Sequence, residues 1–172
     1  SWMRNQSGGL QAAVPLGDSK NGLWNSLASG DFNSDGQTDI VAGNWGLNSF
    51  YNRAGTVACR LFFGEFNHDG RIQMIEAYDL AGRTLPFRDL QTLGAQLPWL
   101  TEQFSTHKAF AEASIQQILG DRAAESRQLK AESLVSVIFW NQGGAQFKSE
   151  PLPQQAQWAP ALGLNVADAD GN

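Results

Sequence analysis

The stretch Asp31-Phe32-Asn33-Ser34-Asp35-Gly36-Gln37-Thr38-Asp39 constrains this chain more than any other. It places oxygen-bearing side chains on alternate residues and then a glycine. Calcium is a hard cation that takes roughly 6–8 oxygen ligands. Carboxylates at Asp31, Asp35 and Asp39, the amide oxygen of Asn33 and the backbone carbonyl of Gln37 supply most of such a set. Gly36 allows the left-handed backbone that curls the chain around an ion. Without a cation, three carboxylates at this spacing repel one another. The bland alternative is an Asp/Asn/Gly turn whose side chains cap their own backbone.

The pattern recurs. Glu65-Phe66-Asn67-His68-Asp69-Gly70-Arg71-Ile72-Gln73 repeats it, and each copy begins Gly-acid-Phe-Asn. In the second copy Glu65, Asn67, Asp69, Arg71 and Gln73 stand at the ligand positions, and Glu76 is a further oxygen donor nearby. The residues Asp168-Ala169-Asp170-Gly171-Asn172 read as the opening of a third copy, for which no calcium is expected because its later ligands are missing. Ligand charge tunes affinity. The first loop has three carboxylates, the second has two with Arg71 beside them, so the first is expected to bind more tightly.

An EF-hand needs a bidentate Glu at its twelfth position and flanking helices. The first copy has Ala42 at that position, the second Glu76. The flanks decide. Thr56 to Phe63 is β-branched and aromatic, and Asp39-Ile40-Val41-Ala42-Gly43 is short, apolar and ended by glycine. Both read as strands meeting at a turn.

Strand, calcium loop, strand, repeated, resembles the FG-GAP/VCBS repeats of β-propellers. Gly22 to Gly36 followed by Asp39 to Asn48 carries the likeness. Within that family the chain is most similar to the group that often carries an ASPIC/UnbV domain, the cartilage-acidic-protein-like proteins. There a second calcium loop leads into a helical segment, as Leu97 to Gly120 suggests here, and a Pro-Leu-Pro run like Pro151-Leu152-Pro153 precedes another loop. Glu65 and Gln73 depart from the family's Asp, and the Phe-Gly/Gly-Ala-Pro signature is not evident. The resemblance implies export to an extracellular, periplasmic or cell-surface location.

A closed propeller needs about 4–8 blades of roughly 40–50 residues each. At 172 residues this chain is a few blades at most. The expected fold is mainly β, a partial β-propeller with a helical insertion: residues 1–87 as repeats with two loops, 88–122 as the insertion, 123–172 as a hairpin and the start of the next repeat. Ala12-Ala13-Val14 is a short apolar piece, and residues 1–19 are expected to be loose or to hold one strand. Met74 to Leu80 and Thr84 to Phe87 read as paired strands. Leu90, Leu93, Leu97, Leu100 and Phe104 recur at helical steps, with Pro98 starting a new helix, Thr106 as N-cap and Gly120 as stop. Leu134 to Trp140 reads as a strand paired with Ala145 to Lys148, and Trp158 to Val166 as the strand entering the third loop.

The net charge of −5 sits largely in the loops, and no basic patch suggests nucleic acid. No apolar run approaches a membrane span. Cys59, the single cysteine, lies in an apolar strand and reads as a buried thiol. His68 is a loop spacer and His107 a helix start. Trp24, Trp45, Trp99, Trp140 and Trp158 are candidate sugar-stacking residues, against the plainer reading of sheet core. No catalytic constellation is present in the sequence. The functional expectation is a calcium-binding module for a protein or glycan ligand, without catalysis. An accessory, carbohydrate-binding module of a secreted enzyme and a purely structural repeat stand as alternatives. Exposed strand edges suggest self-association, or else shielding by the helices between Arg88 and Gly120 packed over one face.

Overall fold

The computed structural model describes residues 5–6, 9–10, 16–18, 20–52 and 59–167. The apolar piece Ala12-Ala13-Val14, the start of the strand at Thr56 and the third loop at Asp168 lie outside the described residues. The chain divides into two compact units, Ser1–Phe50 with Ser133–Asn172, and Tyr51–Glu132. Each is built on a four-stranded antiparallel sheet, so the fold is mainly β with helices.

The first unit opens with two short paired strands, β1 (Asn5–Gln6) and β2 (Gly9–Leu10). Its sheet is made by β3 (Ser26–Gly30) and β4 (Asp39–Gly43). The second unit follows with β5 (Cys59–Gly64), β6 (Gln73–Leu80), β7 (Arg83–Pro86) and β8 (Arg127–Ala131), in the order β7-β6-β5-β8. The chain then returns to the first sheet with β9 (Val137–Asn141) and β10 (Phe147–Pro151), completing the order β10-β9-β4-β3. The first loop joins β3 to β4 and the second joins β5 to β6. Gly30 pairs with Asp39 in one hairpin, and Gly64 pairs with Gln73 in the other. The strand–loop–strand reading therefore holds for both copies, in the same register.

The helical stripe forms four short helices in the second unit: α1 (Leu90–Gln96), α2 (Trp99–Gln103), α3 (His107–Ala111) and α4 (Ile115–Leu119). Asp89, Thr106 and Ser114 each accept a backbone N–H as N-caps, and Ser114 with Gln117 forms a capping box. Pro98 is the N-cap of α2, and Gly120 stops α4. Alternation along β6 points Gln73, Ile75 and Ala77 to one face. There Leu90, Leu93, Leu97, Leu100, Phe110, Ile115, Ile118 and Leu119 close over Phe62, Phe66 and Ile75. Burying each large aliphatic side chain contributes about 1.5–3 kcal/mol.

The first unit has a smaller core of Leu16, Ala42, Val137 and Phe139, with Trp24, Ile40, Val135 and Phe147 against it. Two expectations fail here. The strand predicted from Leu134 begins only at Val137. The backbone before it is held by buried side-chain amides: Asn44 Nδ2 donates to the carbonyls of Ser133 and Val135, and Gln157 accepts from Ser136 N–H and donates to its carbonyl. The strand predicted over Trp158 to Val166 does not form. Pro160 has no N–H for a ladder, and the segment is tied instead at Ala161, whose N–H reaches the Asn44 carbonyl and whose carbonyl accepts the Ser26 hydroxyl.

Candidate functional site: two matched hairpin loops

Both loops adopt one backbone shape. The fourth and sixth positions are left-handed in each: Ser34 (φ 61°) and Gly36 (φ 81°), then His68 (φ 53°) and Gly70 (φ 77°). That conformation is least strained at glycine, which both loops place at the sixth position, while Ser34 and His68 adopt it at the fourth.

In the first loop the side chains turn back onto the loop's own amides. Asp31 Oδ1 accepts from Asp35 N–H at 3.1 Å and Oδ2 from Gly36 N–H at 2.8 Å. Asn33 Oδ1 accepts from Asp35 N–H, and Asp35 Oδ1 from Gln37 N–H at 2.8 Å. Asn33 Nδ2 donates to Asp35 Oδ2 at 2.9 Å. Asp31, Asn33 and Asp35 are exposed, and Gln37 is half-buried. Asp39 is wholly buried, and its two oxygens accept from Phe32 N–H (3.1 Å) and Asn141 N–H (2.8 Å). It fastens the loop to the end of β9, where Asn141 Nδ2 also donates to the Thr38 carbonyl.

The donor chemistry of this loop fits a hard cation. A carboxylate oxygen that accepts one N–H keeps a further lone pair, and the exposed groups of Asp31, Asn33 and Asp35 face solvent. Among the described residues, however, no group of three or more His, Cys, Asp or Glu side chains is arranged to hold a metal ion. Each Asp39 oxygen accepts one backbone N–H, from Phe32 or from Asn141.

The second loop carries the same frame with different partners. Gln73, buried where Asp39 stands in the first loop, accepts from Asn67 N–H at 3.2 Å and donates through Nε2 to Asp69 Oδ1 at 3.0 Å. Desolvation raises the Asp69 pKa, but the bonds from Gln73 and Arg71 N–H, with the Arg71 charge, outweigh it and hold the carboxyl below its ordinary value. Asn67 Oδ1 accepts the Trp99 indole N–H at 3.1 Å, and its Nδ2 donates to the Gln96 carbonyl. Glu65 is exposed, and His68 lies 3.7 Å from Glu125. Glu76 is not brought to the loop: its oxygens are held by the Tyr51 hydroxyl at 2.5 Å and by Arg88 at 3.0 Å. Burial, followed by the bond to Glu76, pushes the Tyr51 hydroxyl up to about 12, and burial pushes the Cys59 thiol up to about 11.

The sequence pattern named the candidate positions but not the bonds that each of them makes. Arg122 was missed altogether. Its Nε donates to the Phe66 carbonyl at 3.1 Å, and its guanidinium lies 4.1 Å from the centre of the Trp99 ring. Only its place just after α4 hinted at this. Four of the candidate tryptophans, Trp24, Trp45, Trp99 and Trp140, are half-buried, and Trp158 is exposed.

A family model for the FG-GAP repeat matches residues 23–58, a stretch that includes β3, the first loop and β4. No curated protein and no solved structure matches the chain.

Proposed function

With an FG-GAP repeat at residues 23–58 as premise, we propose that this chain is a calcium-binding recognition module without catalysis, a segment of a β-propeller from an exported or surface protein of the ASPIC/UnbV-associated kind. The observation that supports it is the first loop. An alternating set of oxygen donors lies on a β-hairpin inside the matched repeat, curled by Ser34 and Gly36, with Asp31, Asn33 and Asp35 open to solvent. Those three, the Gln37 carbonyl and a remaining lone pair of Asp39 would hold the ion. Bound calcium supplies charge neutralisation, which removes the repulsion among the carboxylates and stiffens the hairpin. The protein's own part is to preset the curl through the amide bonds to Asp31 and Asp35.

The partner in this reading is a protein or a glycan. An open cleft of about 670 Å³ in the first unit, lined by Lys20, Asn21, Trp24, Asn25 and Phe139, supports the carbohydrate alternative, since it sets an aromatic ring beside amide groups. The test has two steps. Calorimetric titration with calcium should show binding to the wild type and its loss in Asp35→Ala. Arrays of glycans and of extracellular-matrix proteins, probed in calcium and in chelator, should then show capture that depends on calcium. Heat of binding unchanged by Asp35→Ala contradicts the metal assignment. Arrays blank in both conditions contradict the recognition role.

A further inference from the structure

We infer that the second loop takes no metal cation, and that its ligand positions instead seat the helices α1–α4 on the sheet of the second unit. The inference compares positions in a shared frame and stands whether or not the first loop binds calcium. At the third position, Asn33 bonds within its own loop, whereas Asn67 has both ends of its amide engaged by the helical segment, at Trp99 and Gln96. At the ninth position, the carboxylate of Asp39 is replaced by Gln73, which brings its own donor. The Gln73 Nε2–H donates to Asp69 Oδ1, on the acid at the fifth position. Gln73 is only 4% exposed, so a cation entering there would leave a buried amide donor without a partner, which is costly. At the second position, the Phe66 carbonyl receives Arg122, and that guanidinium caps the Trp99 ring. Its fixed positive charge opposes a divalent cation at the same loop. At its second and third positions the loop thus meets partners from the helical segment and from Arg122 where Phe32 and Asn33 of its counterpart are exposed, and Phe66 itself is wholly buried under the helices.

The experiment counts calcium ions bound per full-length chain by equilibrium dialysis, for the wild type, Asp69→Asn and Glu65→Gln. Melting of Trp99→Phe and Asn67→Ala is followed in calcium and in chelator. We expect Asp69→Asn and Glu65→Gln to bind as many ions as the wild type, and Trp99→Phe and Asn67→Ala to lower Tm by the same amount in both conditions. A wild type that binds no ion upholds the inference while removing the proposal for the first loop. One ion fewer in Asp69→Asn or in Glu65→Gln overturns it. So does a Tm loss in Trp99→Phe that calcium abolishes.

Discussion

The two loops share sequence frame, hairpin register and backbone shape, yet they sit in different surroundings. The first is exposed at its tip and anchored at one end by Asp39 to β9. The second is also exposed at its tip, but Phe66 is buried beneath the helices, and Asn67 and the Phe66 carbonyl are bonded to the helical segment and to Arg122 after it. The difference teaches that backbone curl alone does not define a cation site. The curl is set by two left-handed residues and local amide bonds, whereas the availability of the oxygens is set by whatever packs on the loop.

The largest expected effect lies at the shared phenylalanine. Phe66 is 0% exposed and Phe32 is 38% exposed. Phe66→Ala should therefore destabilise by about 3–5 kcal/mol, and Phe32→Ala by less than about 1 kcal/mol, by urea denaturation. Equal losses would erase the contrast between the loops. Next comes Asp39→Ala, which strips two backbone N–H groups of their acceptor and should cost about 2–4 kcal/mol even in chelator. A loss seen only in calcium would make Asp39 a ligand alone rather than an anchor. Smaller again is Ser114→Ala, which removes the cap of α4 and should cost about 1 kcal/mol while leaving calcium affinity unchanged in a parallel titration.

Much of this was legible in the sequence. The Gly-acid-Phe-Asn repeat announced two equivalent hairpins, and the three-and-four spacing of Leu90, Leu93, Leu97 and Leu100 announced the helices that fill the second core. What was not legible depended on partners distant in the chain. Asn44 and Gln157 bond the backbone around Ser136 and delay β9 until Val137, and no local pattern reveals a side-chain amide standing in for a strand. Arg122 and Trp99 likewise meet the second loop only through packing, so Asn67 read as the twin of Asn33 although its amide serves another purpose.

The smallest expected effect is at Asp69. Its folded-state pKa is depressed, so its hydrogen bonds contribute fully above the ordinary carboxylate range near about 3.9 and are lost as pH falls through the lower folded value. Carboxyl NMR should show an Asp69 midpoint below that range and unmoved by calcium, while the Asp31 and Asp35 signals shift when calcium is added. An Asp69 midpoint that moves with calcium would place a cation in the second loop.

The most direct test of the account is the thermal melt of the wild type and of Asp35→Ala in millimolar calcium and in chelator. Binding to the native state alone contributes about 2.7 kcal/mol when free ligand is 100 times the dissociation constant. The account predicts a higher Tm for the wild type in calcium and no difference between conditions for Asp35→Ala. A wild-type midpoint identical in both, or a calcium shift that survives intact in Asp35→Ala, would contradict it.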